Sequence, residues 1–315
     1  MLLAVLFAFA GTAHAQDAWP SRTITIVVPY AAGTAPDFIA RQFGDALSRK
    51  VGQPVVIESK IGAGGLIGTE YAARQKPDGY TLFLGSKDTN AVIGHLYPKR
   101  NFDPNKVLTP VALLGTIDNA LVVGNDLGIN SLKELIEASR KGRKFTFASP
   151  GVGTNLHLLG ELVRESENLN LTHVPYKSFP TAFQDVIAGR VDMVVCGVPP
   201  IVGMLAAKKL KALAVSGPRR APAVPDVPTL KELGYDDLVF VGWFGMFAPT
   251  GTPQAIIDKL NAEAALMAKD PAFRAKLEKI YIAPQGVSVA EFKKLIDAES
   301  DRMGALVKKI GIKIE

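Results

Sequence analysis

Twice in this chain, far apart in sequence, a short apolar strand runs into a loop of small residues that opens a helix. The first case is 24–28, then Pro29-Tyr30-Ala31-Ala32-Gly33-Thr34-Ala35-Pro36, then a helix from Asp37. The second is 145–148, then Ser149-Pro150-Gly151-Val152-Gly153-Thr154, then a helix from Asn155. A helix N-terminus carries unpaired backbone N–H groups and a partial positive charge, so each loop attracts anions. Two such ends predict two halves closing on one small anionic ligand.

The rest of the pattern agrees with an α/β chain. Ile39, Phe43, Leu47 and Val51 stand at helical spacing. Thr34 and Asp37 have the spacing of a capping box, as do Ser131 and Glu134. Strands are expected at 55–58, 81–84, 111–114, 120–123, 172–175, 192–196 and 212–215, with helices between them. The stretch 239–248 is apolar and aromatic, and 253–311 reads as mostly helical. Strands alternating with helices predict parallel or mixed sheets covered on both faces, with ligands beyond the carboxyl ends of the strands.

A length of 315 residues suits two domains. The chain is expected to cross between them near 120–125 and 239–247. That gives a discontinuous first lobe of 16–121 and 243–315, and a continuous second lobe of 122–242. The C-terminal helices should pack back on the first lobe.

Hydrophobic residues make up 48% and charged residues 21%, the balance of a folded globular protein. The net charge of +6 is dispersed, and its densest runs, at 140–144 and 208–211, carry no interleaved aromatics. That argues against a nucleic-acid partner and leaves a mild attraction for anions. Residues 1–10 are apolar and Ala13-His14-Ala15 has the small-x-small form of a cleavage site. An export signal covering 1–15 is expected, although the usual basic n-region is missing. The single cysteine, Cys196, ends an apolar strand and reads as a small buried hydrophobe.

Other chemistries fail on spacing. Gly62-Ala63-Gly64-Gly65-Leu66-Ile67-Gly68 does not fit a dinucleotide fingerprint, and no Gly-Lys-Ser/Thr follows it. After the signal only His95, His157 and His173 remain, far apart, so neither a metal nor a cofactor is expected. No Gly-x-Ser-x-Gly elbow exists, and Ser149 leads into Pro150 rather than a helix. His157, in the first turn of its helix, can contact ligand, cap backbone or stay exposed. Two further polar loops, Gly85-Ser86-Lys87-Asp88-Thr89-Asn90 and Ser178-Phe179-Pro180-Thr181, follow strands at the same end.

Several motifs together resemble the solute-binding receptors of tripartite tricarboxylate transporters, the Bug or TctC-like proteins of Gram-negative bacteria. They are Trp19-Pro20-Ser21-Arg22-Thr23-Ile24, then Gly52-Gln53-Pro54-Val55-Val56-Ile57-Glu58 with its glycine loop. Pro77-Asp78-Gly79-Tyr80-Thr81-Leu82, Val174-Pro175-Tyr176-Lys177, Gly189-Arg190-Val191-Asp192 and Val227-Pro228-Thr229-Leu230 follow in order. The resemblance implies a monomeric periplasmic binding protein of two α/β lobes with a deep cleft. It would deliver its ligand to integral-membrane transporter subunits. Ligands in such a family are di- and tricarboxylic acids, acidic amino acids, aromatic acids and occasional amides, held chiefly by the loop after the first strand. By position that loop is 30–37, and its counterpart in the second lobe is 150–155. The expected ligand residues are Tyr30, Ala32, Gly33, Thr34, Ala35, Asp37, Ser86 and Thr89 from the first lobe. From the second they are Gly153, Thr154, Asn155, His157, Tyr176, Ser178, Phe179 and Thr181.

The family commonly has two adjacent glycines, then two small hydroxyl residues and Asp, where this chain has Gly33-Thr34-Ala35-Pro36-Asp37. Thr34 lacks the freedom of glycine and Pro36 lacks an N–H. A monocarboxylate, an aromatic acid or a neutral analogue then becomes a candidate ligand, with Tyr30, Tyr176 and Phe179 available to wall a ring. Two alternatives to a transport receptor remain: a ligand sensor for a signalling partner, and an exported α/β enzyme acting on a carboxylate.

Overall fold

The structure is a computed structural model that describes residues 19–100 and 102–312; the expected export signal at 1–15 lies outside these residues. Among the described residues eleven strands form two sheets. The first contains β1 (Ile24–Val28), β2 (Val55–Ser59), β3 (Thr81–Ser86), β4 (Leu108–Ile117), β10 (Gly242–Pro249) and β11 (Ala283–Pro284), in the order β11-β4-β10-β3-β1-β2. The second contains β5 (Asn119–Gly124), β6 (Phe145–Ser149), β7 (Leu171–Pro175), β8 (Met193–Gly197) and β9 (Leu210–Val215), in the order β7-β6-β8-β5-β9. Both sheets are mixed. β1 pairs parallel with β2 and β3, whereas β10 runs antiparallel between β3 and β4. β6 pairs parallel with β7 and β8, and β5 runs antiparallel to β8 and β9.

Helices cover the sheets: α1 (Ala35–Val51), α2 (Leu66–Ala73), α3 (Ile93–Leu96), α4 (Pro104–Val107), α5 (Leu132–Arg140), α6 (Asn155–Ser166), α7 (Phe179–Ile187), α8 (Val202–Ala206), α9 (Gln254–Lys269), α10 (Pro271–Glu278) and α11 (Val289–Ile310). α1 buries Ile39, Phe43 and Leu47 against Ile24 and Ile26, together with Ile257, Leu260 and Leu277 of α9 and α10. β1 is apolar at nearly every position because sheet neighbours and helices bury both its faces. In the second lobe α6 lies so close over β6 that a Cβ on Gly160 would stand 2.2 Å from the Phe147 ring. Glycine there lets the α6 N-terminus sit at the carboxyl end of β6.

The chain leaves the first sheet after Ile117, enters the second at Asn119 and returns at Gly242. The two crossing segments lie side by side. Asn119 Nδ2 donates to the Phe240 carbonyl at 3.1 Å, and the Phe240 N–H donates to the Ser216 carbonyl at 2.7 Å.

α9 packs on β4 and α1, and α10 on α9, β11 and α1, but α11 does more. Its 22 residues reach about 33 Å at 1.5 Å per residue. It packs on β4 and on α6 of the other lobe. Its stripe of Phe292, Met303, Leu306 and Val307 joins one apolar cluster with Phe83 and Phe247 of the first lobe and Phe147, Leu158 and Leu159 of the second. Lys309 reaches Glu165 of α6 at 3.3 Å. Length is the reason: a helix anchored on β4 and extending this far overruns the first sheet.

Candidate functional site

The loop after β1 is shaped by one glycine and one carboxylate. Gly33 has φ of +82° and its N–H donates to Asp37 Oδ2 at 2.9 Å. Arg41, one turn along α1, donates Nε and Nη2 to the two Asp37 oxygens, both at 3.0 Å. Burial alone would raise the Asp37 pKa, but the Arg41 and Gly33 hydrogen bonds outweigh it and hold the carboxyl below its ordinary range. The expected capping box does not form. Thr34 occupies the N-cap, yet its hydroxyl turns back to the Ala31 carbonyl at 2.7 Å instead of accepting a helix N–H. Thr34 is extended, at φ −80° and ψ 164°, so only Gly33 needs the left-handed region. Replacing the second family glycine therefore introduces no backbone strain. Ala32, Gly33 and Thr34 are exposed and Ala35 is half-buried.

The loop after β3 is tied to this one. The Tyr30 and Ser86 hydroxyls are hydrogen-bonded at 2.5 Å, and Ser86 Oγ also accepts the Asp88 N–H at 3.1 Å. Beyond it the backbone makes a wide π-helical turn over Asp88–Val92, a form found often at functional sites. Thr89, expected to line the cleft, is instead fully buried. Its hydroxyl accepts the Ser86 N–H at 2.8 Å and donates to Asn90 Oδ1 at 2.7 Å, so it shapes the loop from inside. Lys87 also turns inward. Its ammonium lies 2.5 Å from Glu299 Oε2 of α11 and 3.4 Å above the Phe240 ring. Burial lowers its pKa to about 8 against the opposing pull of Glu299.

In the second lobe, Thr154 caps α6 by accepting the His157 N–H at 3.3 Å. The Gly153 N–H donates to His157 Nδ1 at 3.1 Å. His157 is only 4% exposed, so of the three roles open to it the structure favours supporting this loop. The expectation that the histidines stand apart is corrected. His157 and His173 stack with centroids 3.8 Å apart, because β6 and β7 pair with Phe147 opposite His173 and α6 lies over both. His173 Nε2 is 2.8 Å from Ser149 Oγ. Burial, then the neighbouring His157, push the His173 pKa down to about 4. This pair has the look of a nucleophile and base, but Ser149 is wholly buried and open to no substrate. Among the described residues no group of three His, Cys, Asp or Glu side chains can hold a metal. Cys196 is buried.

The strand-end loops of the two lobes meet in a polar contact. Asp88 Oδ1 accepts the Asn155 N–H at 2.6 Å and Oδ2 accepts the Asn155 amide at 2.8 Å. Asp88 comes from the first lobe and Asn155 opens α6 in the second. Burial raises the Asp88 pKa, opposed by the two Asn155 bonds and by Lys87. Burial, then the Asp88 charge, raise that of Tyr30. The loops after β1, β3 and β6 thus form one connected set, from Tyr30 through Ser86 and Asp88 to Asn155.

The loop before α7 is looser. Ser178 and Thr181 are exposed and bond to each other at 3.0 Å, with no side-chain cap on the helix. Tyr176 gives its hydroxyl to Asp185 at 2.7 Å, and its pKa is raised to about 12 by burial and then by Asp185. Phe179 stacks on Phe183 at 5.6 Å. Their polar and aromatic groups are committed within the second lobe, which weakens them as walls for a ligand ring.

Sequence reasoning passed over Asp88 and His173. A charged pair, Lys87-Asp88, in a strand-end loop was a usable signal for the first; nothing local pointed to the second. A cavity of about 590 Å³ lies between α3, α4 and α11, lined by His95, Asp103, Asp297 and Asp301 among others, and none of the expected ligand residues borders it.

Residues 39–312 match the model of the tripartite tricarboxylate transporter family receptor, TctC. BugT of Bordetella pertussis is 32% identical, over 100% of this chain and 98% of its own. A Rhodopseudomonas palustris protein solved with adipate is 31% identical, covering 94% of this chain and 99% of its own, with a TM-score of 0.83. MatC of Rhodopseudomonas palustris, solved with bound malate, is also 31% identical, covering 92% of this chain and 100% of its own, with a TM-score of 0.80. No helix of the described residues is long and apolar enough to cross a membrane. Two mixed sheets, two crossings and strand-end loops meeting between the lobes are the architecture of a periplasmic binding protein, and this chain belongs to the receptors of the tripartite tricarboxylate transporter family.

Proposed function

We propose that the protein captures a small organic carboxylate between its lobes and hands it to a membrane transporter of the tripartite tricarboxylate type. In this reading it works in the periplasm and leaves its ligand unchanged, with the hinge at Asp118 and 239–241. The observation that supports the reading is the contact of Asp88 with Asn155, which links the loops after β1, β3 and β6 into one connected set. The adipate and malate bound by the two solved relatives support the choice of a carboxylate.

The ligand carboxylate belongs at the α1 N-terminus, beside the exposed loop of Ala32, Gly33 and Thr34. Charge-assisted hydrogen bonds contribute roughly 1.5–3 kcal/mol each. Four of them reach about 6–12 kcal/mol before ordering costs, against about 8 kcal/mol for micromolar affinity. A ligand touching both lobes stabilises the closed form, which the membrane partner can read.

Thermal-shift screening of the protein against carboxylic and aromatic acids tests the reading. A true ligand raises the unfolding temperature in a saturable way, equivalent to about 2.7 kcal/mol at a hundredfold excess over Kd. Consumption of a stabilising acid, or stabilisation by none of them, contradicts the proposal.

A further inference from the structure

The end of α6 that should attract an anion already carries one, and the protein supplies it. Asp88 crosses from the opposite lobe and takes both the backbone N–H and the side-chain amide of Asn155, at 2.6 and 2.8 Å. The neighbouring donors are also used: Gly153 N–H by His157 and His157 N–H by Thr154. At the α6 end these donors are therefore already committed, whereas the loop before α1 stays exposed. The direct hydrogen bonds to the Asp88 carboxylate come from Asn155, while the Lys87 ammonium, next to it, is turned onto Glu299 and acts on Asp88 only through space. An ionised carboxylate has about four acceptor positions, and Asn155 uses two of them, so Asp88 keeps accepting capacity.

We propose that Asp88 sets the ligand class: the site takes an acid with one carboxylate whose far end carries a hydrogen-bond donor, an ammonium or an amide, and turns away acids with a carboxylate at both ends. The inference rests on the carboxylate-receptor reading of the cleft. A second ligand carboxylate beside Asp88 would add like-charge repulsion in a partly dry site. An ammonium or amide there gains a charge-assisted bond. Asp88 thus reads the end of the ligand that the α1 loop does not hold.

The test is titration calorimetry of the full-length mature protein with matched pairs of four to eight carbons, each an ω-amino acid and the diacid of equal length, such as 6-aminohexanoate and adipate. Wild type is expected to bind the amino acid of its preferred length at least tenfold more tightly than the diacid. In Asp88→Asn that ratio should fall to near one or reverse, with Asp88→Ser as the second variant should the first not fold. A wild type that binds the diacid as tightly as its partner overturns the inference. So does an unchanged ratio in the variants, since a residue that merely latched the lobes would shift both affinities together. Failure of wild type and variants to bind any acid of the series overturns the carboxylate reading itself.

Discussion

Glu299 of α11 holds the buried ammonium of Lys87 at 2.5 Å, and so ties the loop after β3 to the helix that spans both lobes. The Lys87 side chain is 1% exposed and that of Glu299 17%. Removing one partner leaves an uncompensated charge indoors, which costs about 3 kcal/mol or more. Glu299→Gln should lose about that much stability in urea unfolding, whereas Lys87→Met, which removes the charge and keeps the bulk, should lose less. The pH dependence follows from burial. The folded pKa of Lys87, about 8, lies below its ordinary value of 10.5, so between these pH values the unfolded chain binds more protons. Wild type should gain stability relative to Lys87→Met as pH rises from 8 to 10.5, read as a difference in Tm.

His173 gives the opposite end of the pH scale. Its folded pKa of about 4 lies below its ordinary value of 6.5. Below pH 6.5 the unfolded chain takes up a proton that the folded chain refuses, so stability falls as pH drops toward 4. His173→Gln should show a shallower loss of Tm between pH 6.5 and 4 than wild type. Equal slopes would mean that His173 does not carry the effect.

Much of this architecture is legible in the sequence, and the reasons are local. The strand-loop-helix repeats at 24–37 and 145–155 show through because hydrophobic period and small-residue turns are properties of neighbouring residues. The stacking of His157 on His173 is not local: it depends on the β6–β7 register and on Gly160 letting α6 approach. Asp88 escapes for the same reason, since its partner Asn155 lies 67 residues away on the other lobe. The Thr34–Asp37 spacing fits two arrangements. Arg41 decides between them by drawing the Asp37 carboxylate toward Gly33.

That arrangement makes Asp37 the keystone of the first loop. Asp37→Asn loses the bidentate Arg41 pair and weakens the hold on the Gly33 N–H. The expected cost is about 1.5–3 kcal/mol for hydrogen bonds to a charged group, measured by chemical denaturation. Ligand affinity should fall as well, because the loop geometry loosens.

Thr34→Gly, by contrast, should leave ligand preference within a factor of about three, since an N-cap exchange of this kind costs only a few tenths of a kcal/mol. Thr34 is already extended and needs no positive φ. A changed ligand class in calorimetry would put the specificity of the loop in Thr34 rather than in Asp88.

The most direct measurement is a crystal structure of the protein with the tightest-binding acid from the screen. The account predicts the ligand carboxylate within hydrogen-bond distance of N–H groups in the 30–37 loop, with its far end beside Asp88. An acid seated instead in the cavity beside His95 and Asp103, or with its carboxylate displacing Asp88 from Asn155, would contradict it.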